Sequence, residues 1–234
     1  MVPSSHPALS WRLGGVRIAW SQASDGDQRD SGLRSQFLAR VGAPSPCLVP
    51  RQVHGAVVAD DGDELTQADG VVTGRAVAVG AYGADCPGLV LVADDALAIA
   101  HCGWRGTAAG IVGRAVAALA RRSRRPPVSW KAFIGPGISG ERYEVDAPVL
   151  NARVWPAPAL RPARPGRALL DLATVIVSDL AVHDVRDVAS SGVCTASDPR
   201  MHSHRRSGPG IVQLLVAWRA GGGDPAQAPT GKES

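Results

Sequence analysis

The segment 83–106 constrains the fold of this 234-residue chain more than any other. It holds two short apolar runs, 89–93 and 96–100, separated by two aspartates, and this pattern predicts two strands joined by a tight turn. Strands of about five residues, each rising roughly 3.3 Å per residue, return the chain to the same edge of a sheet. We therefore expect this hairpin to bring Cys86 and His101 together, although they are fifteen positions apart.

The residues after the hairpin predict a glycine-bracketed turn followed by a helix. The turn is Gly103-Trp104-Arg105-Gly106, and apolar residues recur at helical spacing through 107–122, with two arginines in the last turn. A helix N-terminus beside an arginine favours negative charge, because its backbone N–H groups are free. The segment is therefore expected to offer a metal-binding position at Cys86 and His101 and a phosphate-binding position at the turn 103–106.

Length and composition favour one domain with a full-sized core, since 45% of the residues are hydrophobic and the mean hydropathy is near zero. We expect an N-terminal extension over 1–14, the domain over 15–218 and a disordered tail over 219–234. A proline-containing loop is predicted over 154–166 and an amphipathic helix over 167–183. Strand-like runs outnumber helices and do not alternate with them strictly, which favours a mixed-sheet α+β fold.

The charge pattern argues against nucleic acid and membrane partners. The net charge is +4, and the densest basic cluster, 121–125, has no interleaved aromatic residues, so it is interpreted as a solvated helix end. The N-terminus lacks the pattern of a secretory signal, and no run of 18 apolar residues occurs. We expect a cytoplasmic protein, monomeric or homodimeric, whose four cysteines are reduced thiols.

Three side chains form the strongest candidate site. His54, Cys86 and His101 each lie at a predicted strand edge next to a glycine or proline or at the end of an apolar run. Two imidazoles and one thiolate suit a catalytic zinc ion, because three protein ligands leave a fourth position open. Their spacings match no local zinc motif, so each residue taken alone is also compatible with an ordinary buried position.

Seven ordered motifs resemble one known family. They are Gln-Val-His-Gly at 52–55, Ala-Asp-Gly at 68–70, Ala-Asp-Cys at 84–86, His-Cys-Gly-Trp-Arg-Gly at 101–106, Ile-Gly-Pro-Gly-Ile-Ser at 134–139, Tyr-Glu-Val at 143–145 and Ser-His-Arg-Arg at 203–206. The chain resembles the bacterial laccase-domain family, also called polyphenol-oxidase-like or peptidoglycan editing factor, over roughly residues 15–218. The resemblance implies a mixed-sheet α+β sandwich.

The resemblance also implies an activity and site residues. It aligns His54, Cys86 and His101 with the residues that bind the family's metal ion, which is usually zinc. The implied reaction is phosphorolysis of adenosine, inosine, guanosine and methylthioadenosine, with adenosine deamination as a side activity. Catalytic roles are expected for Cys86, His101 and Arg105, and substrate or phosphate contacts for Arg34, Gly103, Trp104, Arg105 and Arg205.

Other functions remain open at the level of sequence. A copper-dependent polyphenol oxidase would need several His-x-His pairs, and this chain has six histidines and one such pair, His202-Ser203-His204. A metal-free cysteine hydrolase acting on peptidoglycan precursors would use Cys86 as the nucleophile and His101 or His54 as the base. A non-catalytic binding relative would keep the fold and lack turnover.

Overall fold

A computed structural model describes residues 8–219. Within this range the strands are β1 (Leu9–Leu13), β2 (Val16–Trp20), β3 (Cys47–Leu48), β4 (Val58–Asp60), β5 (Gly70–Thr73), β6 (Ala78–Gly83), β7 (Gly88–Val92), β8 (Leu97–His101), β9 (Lys131–Ile134), β10 (Glu144–Val145), β11 (Leu160–Pro162), β12 (Ala168–Leu170), β13 (Asp187–Ser190) and β14 (Gln213–Arg219). The helices are α1 (Ser31–Val41), α2 (Trp104–Ala108), α3 (Ile111–Arg122), α4 (Ala147–Leu150), α5 (Leu172–Val182) and α6 (His204–Ser207). No helix among residues 8–219 is long and apolar enough to cross a membrane.

Two large mixed sheets pack face to face and are covered by helices on their outer sides. The first sheet has the strand order β1-β2-β14-β6-β3 and the second β13-β9-β7-β8-β5-β4, while β10-β12-β11 forms a small third sheet. Helix α1 covers the first sheet, and helices α3 and α5 cover the second. The architecture is a single α+β domain with mixed sheets, which confirms the predicted fold class.

The predicted hairpin is β7 and β8, which lie in the interior of the second sheet. Both strands are buried along their full length, and their alternate side chains face opposite layers. Leu89 and Leu91 pack against α3 and α5, whereas Val90 and Ile99 pack against the first sheet. Full burial of each such aliphatic side chain stabilises the fold by about 1.5–3 kcal/mol, so the hairpin is a rigid support for residues at its ends.

The predicted single helix over 107–122 is wrong, since the structure has two helices there. Helix α2 ends at Ala108, and α3 begins at Ile111 after Gly110, which has a φ of +85°. A left-handed residue cannot continue an α-helix, and glycine adopts it without a Cβ clash. The break separates α2 from α3, which packs its apolar face on the second sheet.

The prediction over 154–183 is also partly wrong. Strand β11 lies inside the predicted loop, and the first part of the predicted helix is strand β12. Helix α5 starts only after Asp171, whose carboxylate accepts the backbone N–H groups of Ala173 at 3.0 Å and Thr174 at 3.2 Å. The N-cap therefore sets the helix start, and the apolar residues before it continue the helical pattern by coincidence.

The two ends of the described range pair with the first sheet. Within the predicted N-terminal extension, Leu9–Leu13 forms β1 and pairs antiparallel with β2. Arg219, the first residue of the predicted tail, ends β14, and the remainder of that tail lies outside residues 8–219. The boundaries of the extension, domain and tail stay predictions.

Candidate metal centre and adjoining cavity

His54, Cys86 and His101 meet at one edge of the second sheet. Cys86 lies in the turn between β6 and β7, and His101 ends β8, where it pairs with Gly88. His54 reaches them from the loop between β3 and β4, and its ring meets that of His101 edge-on at 4.9 Å between centroids. The candidate ligand atoms of the three residues all lie within 4.8 Å of one another.

A buried carboxylate, Asp69, holds two of these residues in place. It precedes β5 and is 1% exposed. Its two oxygens accept the backbone N–H groups of Val53 at 3.2 Å, His54 at 2.9 Å and Gly55 at 2.7 Å. Oδ1 also lies 3.0 Å from Nδ1 of His101. Asp69 therefore fixes the His54 loop and leaves Nε2 of His101 free for a metal.

The backbone is unusual beside both loop-borne residues. His54 has a φ of +59°, and Asp85, which precedes Cys86, has a φ of +92°. Non-glycine residues adopt such angles only where surrounding contacts hold them there. At Asp85 the carboxylate accepts the hydroxyl of Thr195 at 2.6 Å and the backbone N–H of Arg205 at 2.7 Å, which ties the Cys86 turn to α6.

The two glycines of the predicted phosphate turn allow close packing around the cluster. A Cβ on Gly103 would lie 2.9 Å from Sγ of Cys86, and one on Gly106 would lie 2.6 Å from the carbonyl oxygen of Gly55. Any larger residue would displace these neighbours. Helix α2, which begins at Trp104, is only five residues long, so it offers less of a helix dipole than the predicted helix over 107–122.

The cluster stabilises a thiolate beside an imidazolium when it holds no metal. Burial by itself raises the pKa of Cys86, but the charge and hydrogen bond of His101, together with His54, lower it to about 6. Burial lowers the pKa of His101, whereas the Cys86 thiolate and Asp69 raise it to about 9. With a metal bound, Cys86 would be a thiolate and His101 a neutral imidazole, because both side chains must lose their proton to act as ligands.

The donor set fits a metal ion. Among residues 8–219, His54, Cys86 and His101 are the one group of three or more potential ligands close enough to bind one. Cys86 is half-buried, His101 is 3% exposed, and His54 faces solvent, so the position is closed on one side and open on the other. Such a site keeps room for a fourth ligand, as catalytic zinc sites do.

A polar cavity of about 470 Å³ adjoins the cluster. Trp104, Tyr143 and Arg205 line it, and Trp104 directly follows the glycine that touches Cys86. Arg105 stacks on Trp104 with 4.3 Å between its guanidinium carbon and the ring centroid, and Arg205 stacks on Tyr143 at 5.0 Å. Burial and the nearby Cys86 thiolate raise the pKa of Tyr143, so its hydroxyl remains a hydrogen-bond donor.

The structure places Arg34 away from this cavity. On α1, its guanidinium donates to the carbonyl oxygen of Gln28 at 3.1 Å and to the hydroxyl of Tyr82 at 2.7 Å, and it pairs with Glu64. None of its hydrogen bonds or ion pairs within residues 8–219 reaches the cluster. A substrate contact by Arg34 stays a prediction, and the observed role is to join α1 to the first sheet.

Sequence reasoning missed the roles of three residues. Asp69 lies in the Ala-Asp-Gly motif and Asp85 in the Ala-Asp-Cys motif, and Tyr143 begins the Tyr-Glu-Val motif. Their presence in these motifs was a signal, but their partners are 14 to 120 positions away in the chain. Only the fold shows which groups they contact.

The fold and the cluster together define a class: a four-layer domain with a three-residue candidate metal centre beside an arginine- and aromatic-lined cavity. The chain belongs to the family described as multi-copper polyphenol oxidoreductase laccase, whose model matches residues 21–217.

Relatives with assigned names are similar over most of their length. A purine nucleoside phosphorylase of Xylella fastidiosa is 37% identical over 204 residues, covering 79% of this chain and 76% of the relative. One of Deinococcus radiodurans is 36% identical over 215 residues, covering 85% and 83%.

Solved structures share the fold. A Neisseria meningitidis protein of family DUF152 superposes with a TM-score of 0.81 at 26% identity, covering 92% of this chain and 99% of the other. The protein YlmD of Geobacillus stearothermophilus has a TM-score of 0.80 at 24% identity, covering 92% and 100%.

Proposed function

We propose that this protein is a zinc-dependent purine nucleoside phosphorylase acting on adenosine, inosine, guanosine or methylthioadenosine, with adenosine deamination as a side activity. The observation that carries the proposal is the His54, Cys86 and His101 cluster, together with a nearby cavity whose aromatic residues Trp104 and Tyr143 each carry a stacked arginine. The names of relatives that match most of this chain give the reaction class. Purine nucleoside and phosphate are then the partners.

The residues of the cluster would hold zinc and orient the reacting groups. When bound, zinc supplies a Lewis acid and a positive charge beside the cavity. Asp69 keeps His101 in one tautomer, and the exposed His54 leaves one side of the cluster open to solvent. In phosphorolysis a phosphate oxygen bonds to C1′ of the ribose as the C1′–N9 bond breaks, and the phosphate proton is transferred to the departing base. In the side reaction water adds to C6 of adenosine and ammonia leaves.

Arg105 and Arg205 are the cations best placed for the phosphate. Within residues 8–219 neither has a carboxylate partner within 4.0 Å, and the guanidinium carbon of each lies over an aromatic ring that lines the cavity. Nη1 of Arg205 donates to the backbone carbonyl of Glu144 at 2.9 Å, so its remaining N–H groups, and those of Arg105, are the ones that would contact an anion. Gly103 and Trp104 would act by setting the position of α2 and the cavity wall.

A metal-free cysteine hydrolase is a second candidate, because the cluster lowers the pKa of Cys86 to about 6 and places an imidazole beside it. A copper-dependent polyphenol oxidase is less well supported. The family description names several coppers, but residues 8–219 hold one group of three potential ligands. A non-catalytic relative would bind nucleosides without turnover.

Metal content and phosphate dependence test the proposal. Protein purified without added metal should contain about one zinc per chain, the value expected for a single three-ligand site. Cys86→Ser should lose the metal and the activity, whereas Cys47→Ser, on β3 and outside the cluster, should keep both. A fully active metal-free enzyme would favour the cysteine hydrolase, and efficient phenol oxidation with bound copper would favour the oxidase.

Base release should require phosphate and yield ribose 1-phosphate. Arg105→Ala should raise the KM for phosphate by about tenfold to a hundredfold, since a lost charge-assisted contact costs about 1.5–3 kcal/mol. Arg114→Ala, an exposed arginine on α3, is the matched control. If base is released equally well without phosphate, water is the attacking group and the phosphorylase assignment fails.

A further inference from the structure

The cavity beside the cluster extends to a second group of arginines. Its wall also includes Arg164 and Arg167, from the loop between β11 and β12, and the carboxylates of Glu144 and Asp146. None of these four residues has a hydrogen bond or ion pair to the three cluster residues among the described contacts. The nucleoside reaction as proposed assigns this part of the wall no role.

Arg164 and Glu144 neutralise each other. Arg164 donates from Nε to one carboxylate oxygen of Glu144 at 2.9 Å and from Nη2 to the other. This two-point contact lowers the pKa of Glu144 to about 2, so the pair remains ionised at neutral pH. Glu144 is thus paired with Arg164, and Arg167 makes no hydrogen bond to it.

Arg167 is accordingly left with weak partners. It approaches Glu144 and Asp146 only at 4.0 Å, beyond hydrogen-bond distance. Its side chain is 43% exposed and that of Asp146 is 52% exposed, so water screens the contact between them. A guanidinium in this position has N–H groups available to a ligand that enters the cavity.

The charges of the cavity favour more than one anion. Three arginines, 164, 167 and 205, and two carboxylates line the wall, and Arg105 stacks on Trp104, which is also part of the wall. The excess positive charge would hold the attacking phosphate near Arg105 and Arg205 and still leave Arg167 without a strong partner. The volume of about 470 Å³ lies within the range of small-molecule sites, about 300–1,000 Å³.

We infer that Arg167 binds a phosphate monoester carried by the substrate, so that a purine nucleoside 5′-monophosphate is preferred over the free nucleoside. The inference rests on the function proposed above and names its substrate class. Inorganic phosphate would attack C1′, the C1′–N9 bond would break, and the proton of the attacking phosphate would go to the base. The products are a free purine and ribose 1,5-bisphosphate, and the 5′-phosphate takes no part in the bond changes.

The test compares adenosine with adenosine 5′-monophosphate at fixed inorganic phosphate. The expected kcat/KM is higher for the monophosphate, and Arg167→Ala should lower the ratio of the two values by about tenfold, the effect of one charged contact. Arg161→Ala, an exposed arginine of β11 in the same small sheet, should leave the ratio unchanged. Equal kcat/KM values for the two substrates, or an unchanged ratio in Arg167→Ala, would overturn the inference.

Binding without turnover separates this inference from the proposed function. Calorimetric titration of the zinc-loaded protein should show tighter binding of the monophosphate than of adenosine, with the difference lost in Arg167→Ala. If inorganic phosphate alone removes that difference at the concentration of its own Kd, the site is one for free phosphate and the inference is wrong. If the monophosphate binds through Arg167 but no base is released, the subsite stands and the phosphorylase reaction fails.

Discussion

Asp69→Asn tests how one carboxylate organises the candidate metal centre. Oδ2 of Asp69 accepts the N–H groups of Val53 and Gly55, and Oδ1 accepts that of His54 and lies at Nδ1 of His101. Asparagine has one acceptor oxygen, so it can serve only one of these two sets. The NH2 group of the asparagine then takes the place of the other oxygen and faces the N–H donors that this oxygen had accepted.

The two orientations of the asparagine differ in cost. With its oxygen in the Oδ1 position, the N–H groups of Val53 and Gly55 lose their acceptor, and these two partly buried, unsatisfied donors cost at most about 2–6 kcal/mol. With its oxygen in the Oδ2 position, only the N–H group of His54 is left, at about 1–3 kcal/mol. In that arrangement the amide donates to Nδ1 of His101, which drives the ring proton to Nε2.

We therefore expect the second orientation and a specific loss of metal affinity. A proton on Nε2 must be displaced before that nitrogen can bind zinc, and changes to such supporting carboxylates typically cost about 10–100-fold in affinity. The metal-free variant should unfold in urea with a free energy reduced by about 1–3 kcal/mol. Zinc competition against a chromophoric chelator should show the loss of affinity.

A matched control separates the tautomer from general damage. Asp171→Asn changes another aspartate that accepts two backbone N–H groups, at the start of α5, where asparagine caps equally well. It should change neither stability nor zinc affinity appreciably. If Asp69→Asn loses stability as expected but binds zinc as tightly as the wild type, the argument about the His101 tautomer is refuted.

Three further outcomes are expected. Gly103→Ala should lower the zinc content, because the new Cβ would lie 2.9 Å from Sγ of Cys86, and elemental analysis showing full zinc would contradict this. In metal-free protein, alkylation of Cys86 should rise with a midpoint near pH 6, while Cys47, whose pKa burial raises to about 12, should not react; a Cys86 midpoint above pH 8 would contradict it. Burial raises the pKa of Asp69, but hydrogen bonds from His101, Gly55 and Val53 outweigh it and hold this pKa below its usual value. The ionised Asp69 carboxylate therefore stabilises the fold fully above its unfolded-state pKa, about 3.9, and this stabilisation is lost as the pH falls through the folded-state pKa. At pH values below about 4, the urea concentration at the unfolding midpoint should therefore decrease more in the wild type than in Asp69→Asn. Equal decreases would refute this.

The parts of the molecule that are determined by residues close together in the sequence were predictable from it. The β7–β8 hairpin brings Cys86 and His101 to one edge, as the two apolar runs predict, because strand length and register determine where the residues at the two ends of a hairpin lie. The approach of His54 could not be derived from spacing, since it depends on the hydrogen bonds that its loop donates to the side chain of Asp69. Metal binding by the three residues stays a prediction.

Errors in the helices arose where one residue overrides a periodic pattern. Gly110 divides a continuous apolar repeat into α2 and α3 through its left-handed backbone, and Asp171 starts α5 after a strand whose residues also fit the helical stripe. Periodicity reports which residues prefer the interior, whereas caps and backbone angles decide where an element begins and ends. The cavity wall, made of short elements from four parts of the chain, leaves no periodic signal.

The position of β14 has a consequence for how the chain matures on the ribosome. This strand is the last one along the described chain, yet it lies between β2 and β6 in the first sheet. Its Leu215 sits against Gly88 and Gly135, at the end of the hairpin next to the Cys86 turn. Synthesis through His101 therefore supplies every candidate ligand and four of the five strands of the first sheet, but not β14, which packs against Gly88 beside the Cys86 turn. The first sheet behind the hairpin is therefore completed only when residues 213–219 have been synthesised and have paired with β2 and β6.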